Sequence, residues 1–167
     1  DAERAECSLN GLYLVSEGRH IDHHTRIDHF KPRGTSRQLY KGIVEGRSTA
    51  VFNGKIFVHK DAAKTDAEQT NKNLLLSDDA TVDAKPQLEI FTDDVKCTHG
   101  AAVGQLDPDQ LFYLRSRGLD EEKAKGILTY AFVSEVIQRA GAEFLRAGLD
   151  QLVWSWLKRN EAREVSA

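Results

Sequence analysis

The stretch Ala50-Val51-Phe52-Asn53-Gly54-Lys55-Ile56-Phe57-Val58-His59 decides how the N-terminal part of the chain is read. Ala50–Phe52 and Lys55–His59 are rich in β-favouring residues and read as short strands. Between them stands Asn53-Gly54, a dipeptide that favours a type I′ hairpin because both residues tolerate positive φ. Taken alone, it predicts a local antiparallel pair. Working outward, Leu12–Ser16, Leu39–Val44 and Gln87–Phe91 also read as strands. Turn material separates them, at Pro32-Arg33-Gly34 and Ser77-Asp78-Asp79. No helix of ordinary length fits between most of these segments. Many short strands at small spacing point to a β-sandwich, a barrel or a β-solenoid. No clean numerical repeat stands out, so the pattern leaves all three open.

Past residue 107 the hydrophobic period becomes helical. Asp107-Pro108 is a cap followed by a first-turn proline, and a short helix is predicted to about Arg117, with Gly118 as its stop. Asp120 caps a second helix, with Glu121 and Glu122 where the positive end of the dipole favours them. Its apolar stripe is Ala124, Ile127, Leu128, Ala131, Phe132 and Ile137, and Gly141 ends it. A third helix carries Leu145, Leu149, Leu152, Val153, Trp156 and Leu157, and is predicted to stop near Arg159-Asn160. Trp156 fits that stripe. Trp154 cannot share its face and is a candidate for exposure or a partner contact. The chain therefore divides into a β region, 1–106, and a helical region, 107–167.

Composition narrows the function classes. The chain has 167 residues, 40% hydrophobic and 29% charged, as an ordinary globular protein would. Its formal net charge of −3 weighs against a strongly basic nucleic-acid binder. No segment approaches the roughly 18 uncharged apolar residues of a membrane-spanning helix. The start, DAERAECSLNG, lacks the basic and apolar pattern of a secretory signal. The chain begins at Asp1 and contains no Met, which marks a fragment or a trimmed product as the expectation. The two cysteines, Cys7 and Cys97, form neither a disulfide framework nor a CxxC pattern, so a reducing compartment is expected.

Two constellations carry chemistry. His20, His23, His24 and His29 lie in one short stretch and suggest a metal site, since imidazole is a common transition-metal ligand. On a strand, however, His23 and His29 face one side and His20 and His24 the other, so no face gathers all four. The second constellation is Cys97-Thr98-His99. On a strand its thiol and imidazole share a face. That pair could bind a soft metal or an iron–sulfur species, or serve as nucleophile and base. A buried Cys beside a hydrogen-bonded His is the alternative. Arg115-Ser116-Arg117-Gly118 could hold a phosphate or simply place cations at a helix C-terminus. GxxxxGK[ST], GxSxG and HExxH are all absent.

The run from Pro86 through Val95-Lys96-Cys97-Thr98-His99-Gly100-Ala101, continuing over Gln110-Leu111-Phe112-Tyr113-Leu114-Arg115-Ser116-Arg117-Gly118-Leu119, resembles the SufB/SufD family of the SUF iron–sulfur cluster assembly system. Tyr40-Lys41-Gly42-Ile43, Ala50–Lys55 and Thr70–Leu76 match as well, so the likeness spans roughly residues 8 to 158. Val95–Ala101 is similar to the SufD branch, because the SufB branch carries a Glu-His-Glu-type sequence there. The resemblance implies the C-terminal part of such a protein: a right-handed parallel β-helix followed by a small helical domain that caps the open solenoid end. It turns Asn53-Gly54 into a turn between β-helix strands. A solenoid cut at its other end would present a raw edge, prone to pair with a second copy or to aggregate.

The implied function is that of a non-catalytic scaffold. Its implied partners are a SufB-like scaffold, met through the β-helix ends, and a SufC-like ATPase docking on residues 107–167. Phe112, Tyr113, Arg115 and Arg117 are the candidate docking residues. His99 maps onto the family's functional histidine, with Cys97 as its neighbour, and His29 also matches a family position. No permanent cofactor is implied. A transient cluster would sit at the SufB-like interface, with His99 as a passing iron ligand. Nucleic acid and membrane are not expected as partners, and the setting would be cytoplasm or plastid stroma. A thiol-dependent enzyme using Cys97 and His99, and a purely structural β-solenoid adaptor, are the alternatives.

Overall fold

The structure is a computed structural model and describes residues 2–164. The chain divides at Val103/Gly104 into two compact units. The first is a parallel β-solenoid of about three turns. Seven strands build it: β1 (Glu6–Val15), β2 (His20–His29), β3 (Thr35–Val44), β4 (Thr49–Val58), β5 (Asp66–Leu75), β6 (Thr81–Ile90) and β7 (Lys96–Gly104). Odd strands form one sheet in the order β1-β3-β5-β7, and even strands form the other, β2-β4-β6. Each strand pairs in parallel with the strand one coil away. Glu6 faces Thr35 and Thr35 faces Asp66, while His20 faces Thr49 and Thr49 faces Thr81.

The coils turn at recurring corners. Arg4, Arg33 and Lys64 adopt φ of 59°, 62° and 62°, each two residues before an odd strand. Left-handed backbone is rare for such residues and persists where the surroundings impose it. Here each corner is tied to the next coil: Arg4 N–H donates to the Pro32 carbonyl and Arg33 N–H to that of Ala63.

The reading of Asn53-Gly54 is corrected on both counts. It is neither a hairpin nor a turn between strands. Both residues lie in the middle of β4, with Asn53 between His24 and Lys85 and Gly54 between Thr25 and Pro86. Neither has the positive φ that a type I′ turn requires. Glycine is needed at 54 for space: a Cβ there would stand 2.3 Å from Gln69 Nε2 and 2.8 Å from the Phe52 ring. The two short strands read on either side are therefore one. Pro86 is tolerated because β6 is an edge strand of its sheet. β5 escaped the sequence reading altogether, for between Asp66 and Asn73 Ala67 is the one apolar residue.

The solenoid interior is apolar at its margins and polar between. Tyr13, Val15, Tyr40, Val44, Ala50 and Phe52 pack in one cluster, and Ile27, Ile56, Val58, Ala62 and Ala67 in another. Gln38, Gln69, Asn71 and Asn73 are also buried. They are hydrogen-bonded from coil to coil, as buried polar groups require. The Tyr13 hydroxyl donates to Asn73 Oδ1 and accepts from Asn71 Nδ2, while Asn73 Nδ2 donates to Asn71 Oδ1.

Among the described residues the second unit has three helices: α1 (Pro108–Ser116), α2 (Glu121–Gln138) and α3 (Glu143–Glu164). Asp107 and Asp120 cap the first two as read, accepting from the N–H groups of Asp109 and Lys123. Gly118 ends the α1 turn at φ 92°. Four details differ from the sequence reading. α2 ends at Gln138, before Gly141, and α3 runs past Asn160 to Glu164. The buried residues of α2 are Ala124, Gly126, Thr129, Val133, Val136 and Ile137, whereas Ile127 is exposed. Small and β-branched residues admit a close neighbour there, where a stripe drawn from hydrophobicity favours the larger side chains. In α3, Val153, Trp156 and Leu157 are buried while Leu145 and Leu152 are exposed.

Gly42 offers a test of the interior. A Cβ at this position would stand 2.0 Å from the buried Tyr13 ring. Gly42→Ala is expected to lower stability by about 1–3 kcal/mol, as overpacked cores do. The urea midpoint should fall accordingly, while Gly141→Ala, with nothing within 4 Å of the added Cβ, should leave it nearly unchanged.

Candidate functional site

Cys97 and His99 lie on β7, the edge strand of the four-stranded sheet. Two residues apart on a strand, they share its inward face. The strand treats them differently. Cys97 is half-buried and packs against the cluster of Ile27, Ile56, Val58, Ala62 and Ala67. His99, further along, is exposed. Burial pushes the Cys97 thiol up; a backbone hydrogen bond with Ala67 opposes that shift and the Asp66 carboxylate reinforces it. A raised thiol is a poor nucleophile, because the thiolate is the reactive form. The arrangement thus offers a neutral thiol anchored in the core and an imidazole open to a ligand or partner.

The four clustered histidines separate as strand geometry requires. His20 and His24 are exposed on the outer face of β2, and His24 Nε2 lies 3.0 Å from Asp22 Oδ1. His23 turns inward and stacks on the Tyr13 ring at 4.9 Å. His29 is buried, 2.9 Å from Ser36 Oγ. A Cβ on Gly34 would come within 2.7 Å of its ring, which accounts for glycine there. Among the described residues, no three His, Cys, Asp or Glu side chains gather in a manner that could hold a metal.

On the helical unit, Phe112 and Tyr113 are 73% and 56% exposed. Asp109, Gln110, Tyr113, Leu114 and Leu128 line an open depression of about 350 Å³. Arg115 pairs with Glu121 at 3.2 Å. The Arg117 guanidinium lies over the Tyr113 ring and donates to its hydroxyl at 2.9 Å. Both cations of Arg115-Ser116-Arg117 are thus engaged within the unit. Trp154 stacks on Tyr130 at 4.7 Å and is 38% exposed. No helix among the described residues is long and apolar enough to cross a membrane.

A parallel β-solenoid followed by helices is the class of protein the structure defines, and comparison with known proteins gives the family. Residues 1–132 match the SUF system FeS cluster assembly, SufBD core domain, and the chain belongs to that family. Its relatives include the iron–sulfur cluster assembly protein SufD of Escherichia coli, 44% identical over 87% of this chain and 34% of that protein. Protein ABCI7, chloroplastic, of Arabidopsis thaliana is 49% identical over 78% of the chain and 28% of its own length. A SufBD family protein of Synechocystis is 43% identical over 83% of the chain and 31% of its length. The chain thus spans about a third of these relatives.

Sequence reasoning passed over the polar interior beside β7. Gln38 and Gln69 are 2% and 0% exposed and joined by a 2.7 Å hydrogen bond. The available signal was their spacing, one coil apart, but β5 had not been recognised as a strand.

Two measurements check this site. Cys97 should alkylate at neutral pH much more slowly than the exposed Cys7. Burial also holds the His29 pKa below its ordinary 6.5, with Asp28 opposing. The unfolded chain therefore binds this proton more readily, and the stability contribution is complete above 6.5 and lost as pH falls through the lower folded value. Urea midpoints measured downward from pH 7 should decline, and His29→Gln should flatten that decline.

Proposed function

We propose that this chain is part of a non-catalytic scaffold subunit for iron–sulfur cluster assembly, working with a SufB-like scaffold and a SufC-like ATPase. The observation that carries the reading is the exposed imidazole of His99 on edge strand β7, in a chain of the SufBD core family. Iron and sulfide are the cargo. A neutral imidazole ligates iron through a ring nitrogen and lets go when protonated or displaced, which suits a site that must release what it builds. Cys97, half-buried beside it, supplies packing and a soft neighbour. The cluster forms transiently where this chain meets its SufB-like partner, in the cytoplasm or the plastid stroma. The ATPase docks on the helical unit, where Phe112 and Tyr113 present an aromatic surface and Arg115 and Arg117 flank it. The raised Cys97 thiol argues against a thiol-dependent enzyme.

The test uses the full-length parent, co-expressed anaerobically with both partners. His99→Ala should leave the complex intact and remove most of its bound iron and sulfide. Unchanged iron and sulfide would overturn the assembly role of His99. Phe112→Asp should weaken capture of the ATPase by tenfold or more, the loss common when an exposed aromatic anchor is removed; unchanged capture would place docking elsewhere.

A further inference from the structure

A directed row of side-chain hydrogen bonds crosses the solenoid beside β7. Gln38 Nε2 donates to Thr25 Oγ1 at 2.6 Å, and Gln69 Nε2 donates to Gln38 Oε1 at 2.7 Å. Gln38 and Gln69 are register partners on β3 and β5. Each amide gives one N–H to the earlier link. The row ends on Gln69 Oε1, which is buried and has no hydrogen-bond partner. A buried carbonyl without a donor costs about 1–3 kcal/mol, so this oxygen calls for an N–H or O–H from the next coil.

The next coil is β7. Lys96 N–H donates to the Thr65 carbonyl at 2.8 Å. The same pattern, Asp66 N–H to the Gly34 carbonyl, accompanies the pairing of Thr35 with Asp66 one coil earlier. It sets Lys96 opposite Asp66, and stepping along both strands sets His99 opposite Gln69, on the inward face. Neighbouring strands stand about 4.8 Å apart, within reach of an imidazole and an amide.

We propose that Gln69 is a positioning residue for His99: its Oε1 accepts the inward ring N–H, fixing one neutral tautomer and leaving the other ring nitrogen's lone pair facing outward for iron. Metal-binding histidines commonly hold their second ring N–H on such an acceptor, which sets the ring's orientation and raises its basicity. The inference rests on the assignment of His99 as an iron ligand.

The experiment uses the full-length protein, labelled with ¹⁵N at histidine, and ferrous iron titrated under anaerobic conditions. The wild type should show His99 as a single tautomer. Gln69→Leu removes the acceptor but strands Gln38 Oε1, so Gln38→Leu/Gln69→Leu, which removes both amides, guards against misfolding. In either variant His99 should become a mixture of tautomers and ferrous iron should bind about 10–100-fold more weakly. Gln69→Glu keeps an acceptor oxygen and should restore the single tautomer. A single tautomer and wild-type iron binding in the double variant would overturn the inference. If the tautomer changes but His99→Ala leaves iron binding intact, the hydrogen bond stands and the iron-ligand reading falls.

Discussion

The interior of a two-sheet solenoid is one side-chain layer thick, and a polar group inside it can be satisfied only by its neighbours across the layer or along the axis. This chain places glutamines, asparagines and a tyrosine hydroxyl in that layer. Their bonds run from coil to coil: Tyr13 on β1 reaches Asn71 and Asn73 on β5, past Gly42 on β3. That reach exists because residue 42 has no side chain. Parallel register, glycine placement and the polar residues are one arrangement. Shifting any strand by one residue would turn its inward side chains to the outside and leave the partners of those groups unpaired.

The same layer explains why the candidate site divides into a quiet half and an open half. Cys97 meets the aliphatic margin and is drawn into it, with its thiol protonated. His99, two residues further along the same edge strand, stays exposed. A solenoid edge is otherwise a liability, since its unpaired backbone invites other strands. In this chain that edge also carries the exposed His99.

Much of the helical unit was legible because caps and stops are local chemistry: Asp107-Pro108, Gly118 and Asp120 each act within a few residues. The solenoid was legible as a class and not in detail. Asn53-Gly54 misled because turn preference is local while the requirement at 54 is tertiary, set by Gln69 and Phe52. β5 was missed because strands are recognised by apolar alternation, and over Asp66–Asn73 this strand offers Ala67 alone as an apolar residue. The sharing of one face by Cys97 and His99 was readable from period two alone. Their different burial was not, because it depends on what the neighbouring coil places opposite each of them.

The strand-to-strand offsets are unequal, yet β1 to β6 are all ten residues long. Glu6 to Thr35 spans 29 positions, Thr35 to Asp66 spans 31, and Thr49 to Thr81 spans 32. All the slack is held at the corners, such as the one at Ser77–Ala80. Strands and corners therefore obey different rules of change over evolutionary time. A residue gained in a corner lengthens a surface loop and leaves the internal stacking in phase. A residue gained in a strand inverts everything after it. Coil length can therefore change at the corners without disturbing the hydrogen-bonded row that runs from Thr25 through Gln38 to Gln69.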